Sequence, residues 1–106
     1  MGSVEPHYIP IEHASVRRGD QDASDHRVGC VVISRWEFDG KAENGCYLEL
    51  YDEDWNAELE RDTWFPDVAT ARQEAIDRFG SLLGSWRPGG LSREAREAAR
   101  LSGDIP

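Results

Sequence analysis

The sequence predicts an α+β fold: an antiparallel sheet of three to four strands, with one helix packed on a face and a short C-terminal helix. Three observations carry this. Val28 to Asp39 (VGCVVISRWEFD) is dense in β-branched and aromatic residues, the composition of a pleated, buried strand. Cys46 to Asp52 alternates apolar and polar positions, the period of a half-buried strand. Val68, Ala71, Ala75, Ile76 and Phe79 fall on one stripe of a helix.

Taken in order, the chain divides into three parts. Residues 1–27 form a mobile N-terminal segment in which Tyr8, Ile9 and Ile11 offer an edge strand, kept at the edge by Pro10. Ser15 to Arg27 is a long charged loop with turn formers. Residues 28–86 form the α+β core. Within Val28 to Asp39, the positions Val28, Cys30, Val32, Ser34, Trp36 and Phe38 share one face, and Gly29, Val31, Ile33, Arg35 and Glu37 share the other. The hairpin turn is placed at Gly40 to Gly45, where Asn44-Gly45 readily takes positive φ.

That turn sets Cys46 opposite about Asp39, with Cys46, Leu48 and Leu50 inward and Tyr47, Glu49 and Tyr51 outward. Cys30 then lies far from Cys46, so both cysteines read as small buried hydrophobes rather than a disulfide. Asp52 to Glu60 reads as an acidic turn and Arg61 to Phe65 as a third strand, stopped by Pro66. Asp67 is the N-cap of the Val68 to Phe79 helix and Gly80 its C-terminal glycine. Leu82, Leu83 and Trp86 fold back on the core. Residues 87–106 form a linker and a C-terminal helical tail, with Ser92 capping Arg93 to Leu101.

Composition bounds the function. One domain is all that 106 residues allow. The net charge of −9 repels phosphate backbones, so no direct nucleic-acid partner is expected. There is no apolar run of membrane-spanning length and no secretory leader pattern, so no membrane partner is expected and the cytoplasm is the expected location. Catalytic motifs are absent: no G-x-S-x-G, no phosphate-cradling glycine loop, no cysteine in a nucleophile motif. Carboxylates are plentiful but fall mostly on a wet turn, where they keep ordinary pKa values and make poor acids. The chain therefore reads as no enzyme, with no catalytic residue and no cofactor.

The acidic turn is the candidate site. Asp52, Asp54, Asn56, Glu58 and Glu60 alternate around Trp55, and D-x-D-x-N resembles the start of a calcium loop. Ala57 stands where such a loop needs Gly, and Thr63 where it needs Glu, so no metal residue is assigned. His7, His13 and His26 lack a zinc-finger spacing. Trp36, Trp64 and Trp86 are expected in the core; Trp55, inside the acidic turn and the first of the four to be expected at the surface, reads either as a solvent-facing ring or as a lid over its own sheet. An aromatic patch edged by carboxylates suits a protein with a basic surface. Tyr47, Glu49, Tyr51, Asp52, Asp54, Trp55 and Glu58 are the expected partner-binding residues. The expected role is a non-enzymatic, acidic, protein-binding accessory or regulatory protein of immunity or inhibitor type. The alternative is a small metal- or ligand-binding protein using the acidic turn or the N-terminal histidines.

Asp62-Thr63-Trp64-Phe65, followed by Asp67, Ala71, Ala75 and Phe79-Gly80, resembles a pattern of small uncharacterised bacterial proteins, in which D-T-W plus one residue precedes a capped helix. The resemblance spans about a third of the chain. It implies a three-stranded sheet with a helix, and no activity.

Overall fold

The computed structural model describes residues 7–18, 27–38, 41–42, 44–56 and 58–104. Its elements are β1 (His7–Ser15), β2 (Val28–Phe38), β3 (Lys41–Ala42), β4 (Cys46–Asp52), β5 (Glu58–Phe65), α1 (Val68–Phe79), a 3-10 turn (Gly80–Leu82), β6 (Arg87–Pro88) and α2 (Arg93–Leu101). The strands form one antiparallel sheet in the order β5-β4-β2-β1-β6, with β3 beside the end of β2. The chain is an α+β fold with a helix on the sheet. Among the described residues no helix is long and apolar enough to cross a membrane.

The β2–β4 register differs from the sequence expectation. Ser34 pairs with Tyr47, so Cys46 falls beside Arg35 rather than Asp39. Pairing instead begins earlier, with Phe38 opposite Lys41 and Glu37 opposite Ala42. Asn44-Gly45 lies between β3 and β4, where Gly45 takes φ 88°, so its positive φ serves an irregularity and not the hairpin apex. Asp39, Gly40 and Glu43 lie outside the described residues. Both cysteines are free and buried, as expected. Cys46 packs on the α1 side and Cys30 on the other. Burial pushes both thiols up, which keeps them protonated and unreactive.

Two layers of side chains cover the sheet, one per face. On the first face Ala14, Val31, Ile33, Leu48 and Leu50 meet Ala71 and Ala75 of α1. Fully burying a side chain such as Ile33 stabilises by about 1.5–3 kcal/mol. The two alanines let the helix approach closely. Ile76, one step round from Ala75, falls outside that contact and is 45% exposed, against the expected stripe. Asp67 accepts from the Thr70 amide at 2.7 Å, and the Gly80 N–H donates to the Ile76 carbonyl, so both ends of α1 are closed as expected.

A clamp fixes α1 to β1. Arg72 donates from Nε to Glu12 Oε1 at 2.7 Å and from a terminal nitrogen to Glu12 Oε2 at 2.5 Å. The same guanidinium lies over the Trp86 ring, 5.5 Å from its centroid. Glu12 is buried, so this bidentate pair satisfies a carboxylate that water cannot reach.

The second face carries α2. Leu91, Ala95 and Ala99 pack on Cys30, Val32 and Trp55. Ser92 caps the helix by accepting from the Ala95 amide at 3.0 Å. Arg96 pairs with Asp54 at 3.5 Å and Arg87 with Asp104 at 3.0 Å. Ser15 Oγ donates to the Asp104 carbonyl at 3.3 Å. Residues 91–104 therefore join the fold as a second helical layer.

β1 reaches further into the molecule than an edge strand does. It pairs along its length with β2, while β6 joins its other side only at Glu12 and His13. Pro10 lies outside that short pairing, where its missing N–H costs no ladder bond.

Candidate functional site

Strand alternation decides what each face presents. Because Cys46, Leu48 and Leu50 point to α1, Tyr47, Glu49 and Tyr51 point the other way. Residues opposite one another share a face. Tyr47 lies between Ser34 and Trp64, and Glu58 lies opposite Tyr51. Trp36 stands two positions from Ser34 and opposite Tyr8. The α2 contact, with Tyr51 at its margin, occupies only one end of this face. The rest bears Tyr8, Trp36, Tyr47 and Trp64 around the buried residues Ser34 and Glu49.

Tyr8 and Trp36 stack with centroids 5.1 Å apart and planes tilted by 53°. The Tyr8 hydroxyl donates to Glu49 Oε1. Burial, then this bond and the adjacent charge, push the Tyr8 phenol well above its ordinary value, so it remains a donor. Glu49 is only 4% exposed. It was expected on an open strand face; the ring of Tyr8, brought over from β1, closes above it.

Trp64, expected in the core, lies at the surface. Trp64 is 51% exposed, because its pairing with Tyr47 turns it away from α1 and onto the part of the face beyond α2. Its indole N–H still donates to the Asn44 carbonyl at 3.0 Å. Of the two readings of Trp55 the lid over the sheet is the one observed: the ring is 8% exposed and packs on Cys30 and Val32. Its Nε1–H donates to the Gly29 carbonyl at 3.0 Å, and its ring meets His13 edge-on with centroids 5.7 Å apart. These contacts hold Trp55 at φ 60°, a left-handed conformation that costs a branched or bulky residue energy.

The acidic turn is spent largely on its own closure. Asp52 Oδ1 accepts from the backbone amides of Asp54 and Asn56, at 3.1 and 2.9 Å. Asp54 pairs with Arg96, and Glu53 with Arg18 at 3.2 Å and Arg27 at 3.7 Å. The turn is also shorter than expected, since β5 begins at Glu58 rather than Arg61. Among the described residues no group of three or more His, Cys, Asp or Glu side chains converges as a metal site would require. His7 is exposed, and His13 is buried with Nδ1 2.9 Å from the Gly89 carbonyl. His26 and Ala57 lie outside the described residues.

Of the seven expected partner-binding residues, Tyr47, Glu49, Tyr51 and Glu58 come together on one face. Trp55 sits at its α2 end, Asp52 closes its own turn, and Asp54 reaches Arg96 of α2. Tyr8, Trp36 and Trp64 join them unforeseen. The β2 alternation already put Trp36 on the face of Ser34, but Tyr8 arrives through a strand pairing that no local pattern announces.

Beside this face lies a cavity of about 540 Å³. Tyr8, Pro10, Tyr51, Trp55, Pro88 and Leu91 form its apolar wall, and Gly89, Gly90, Ser92 and Ala95 complete the rim. Comparison with protein-family models, with curated proteins and with solved structures finds no match.

Proposed function

We propose that this chain is a non-enzymatic accessory or regulatory protein that docks a protein with a basic surface. The docking face is the part of the sheet beyond α2, with Glu49 and Tyr47 at its centre, Tyr8, Trp36 and Trp64 around them, and Tyr51 and Glu58 at the margin toward α2. One observation carries the reading: aromatic rings surround a buried carboxylate on a sheet face that α2 leaves uncovered. Large, rigid aromatics supply contact area at low entropic cost and are the residues enriched where interfaces concentrate their energy. The chain's charge of −9 selects a cationic partner and speeds its approach. Trp64, half in solvent, is the ring that gains most from being covered.

The test is retention of a purified basic host protein on the immobilised chain at low and moderate ionic strength, with Trp64→Ala and Tyr47→Ala chains beside it. The candidate is first identified by mass spectrometry of proteins eluted by salt. Direct binding that weakens with salt and drops at least tenfold in the Trp64→Ala chain supports the reading. Binding indifferent to both substitutions, or no binding at all, removes it.

A further inference from the structure

We propose that the cavity bounded by Tyr8, Tyr51 and Trp55 is a recognition pocket for a guanidinium group, filled by an arginine side chain of the basic partner. The proposal rests on the docking reading above and assigns the cavity to one side chain of that partner.

Three features set the chemistry. The first is the wall. Tyr8, Tyr51 and Trp55 contribute aromatic surface, and Pro10, Pro88 and Leu91 offer apolar contact for a methylene stem. A weakly hydrated, planar cation gains most from such surroundings, because it stacks on rings and loses little on leaving water. The second is the charge at the wall. Among the described residues, no lysine or arginine lines the cavity. Arg93 and Arg96 of α2 line an adjoining hollow of about 290 Å³ that shares Trp55, Leu91 and Ser92 with the cavity, and Arg96 is matched there by Asp54.

The third feature is Glu49. Its carboxylate accepts the Tyr8 hydroxyl from behind the wall. A phenol that donates to a carboxylate is more electron-rich, and its ring attracts a cation more strongly. Tyr8 thus presents to the cavity a ring that attracts a cation more than an anion or a neutral group. The rim is also firm: Trp55 is pinned to the Gly29 carbonyl, and the Gly89 carbonyl is held by His13.

The experiment is a titration of the full chain with N-acetyl-arginine methylamide, followed by the indole N–H resonance of Trp55. N-acetyl-citrulline methylamide, the neutral isostere, and N-acetyl-lysine methylamide are titrated in parallel. The expected result is saturable movement of that resonance by the arginine amide, at millimolar concentration, with at least tenfold weaker response to citrulline. Tyr8→Phe, which keeps the ring but cuts the link to Glu49, weakens binding several-fold. Tyr8→Leu abolishes it, while unchanged resonances of α1 show that the chain still folds. No saturable movement, or equal response to citrulline, overturns the pocket; equal response to lysine overturns its assignment to guanidinium. The titration needs no partner protein, so the pocket can fail while retention on Trp64 persists, and the reverse.

Discussion

Tyr8 and Glu49 are linked by a hydrogen bond that joins β1 to β4 across the intervening β2. It makes one phenol the cover of one buried carboxylate. The folded state holds the Tyr8 pKa above its ordinary value, while the unfolded chain releases the proton near pH ~10. The stabilisation is thus fully present below about pH 10 and lost as pH rises beyond it, because only the unfolded chain gains by ionising. Equilibrium denaturation between pH 8 and 11 is expected to show this fall. In Tyr8→Phe the alkaline fall shrinks, and stability at neutral pH drops by about 1–3 kcal/mol through the bond lost to Glu49.

The acid limb has a different source. The Thr70 hydroxyl and amide both donate to Asp67 and hold its carboxyl below the usual range. A depressed pKa contributes stability above the unfolded value, near pH ~4, and loses it as pH falls through the folded value. Asp67→Ala is expected to destabilise the chain at neutral pH and to flatten this acid limb, as read by helical circular dichroism against pH.

Glu12 and Arg72 are unequal partners, since Glu12 is buried and Arg72 is half in solvent. Arg72→Met strands a buried carboxylate and is expected to cost roughly 3 kcal/mol in chemical denaturation. Glu12→Gln combined with Arg72→Met is expected to lose clearly less than the two single losses added together. Additive losses would mean that the clamp is incidental.

Gly29 is fixed by contact rather than by dihedral angle. A Cβ there would sit 2.4 Å from the Asp52 carbonyl oxygen and 2.5 Å from the Glu53 Cα, both backbone atoms that cannot swing aside. This is where the β2–β4 register shifts. Gly29→Ala is expected to cost at least about 3 kcal/mol and to release Trp55, seen as a red shift of its emission.

The tryptophans give the sharpest contrast. Trp55→Ala empties a buried site and is expected to cost about 3–5 kcal/mol. Trp64→Ala, at a half-exposed site, is expected to cost about 1 kcal/mol or less. The sequence alone buries Trp64 and leaves Trp55 between solvent and a lid over the sheet; the structure reverses the first, and thermal unfolding of the two variants tests the order.

That reversal marks where the sequence stops being legible. Val68 to Phe79, its Asp67 cap, its Gly80 end and the Ser92 cap are all local signals, written within a few residues of where they act. The alternation of Cys46 to Asp52 likewise separates Leu48 from Glu49. What local pattern does not contain is the partner across a strand or the element above it. Trp55 looks exposed in its acidic run because the Gly29 carbonyl and His13 that receive it come from other strands. Trp64 looks buried beside Phe65 because nothing local shows that α2 stops short of Tyr47. Glu49 looks solvated for the same reason: Tyr8 covers it from a strand 41 residues away. The acidic turn stands out by charge density, yet Arg18 and Arg27 answer Glu53, and Arg96 answers Asp54, from distant positions.

The two-sided covering of the sheet also has a consequence for synthesis. Every strand of the β5-β4-β2-β1 meander and all of α1 precede Gly80, so the Val31–Ile33–Leu48 face can close while the chain is still being made. Cys30, Val32 and Trp55 have no cover until residues 91–104 leave the ribosome. A chain cut short of Leu91 would carry an apolar strip on its second face, a surface for chaperones to hold.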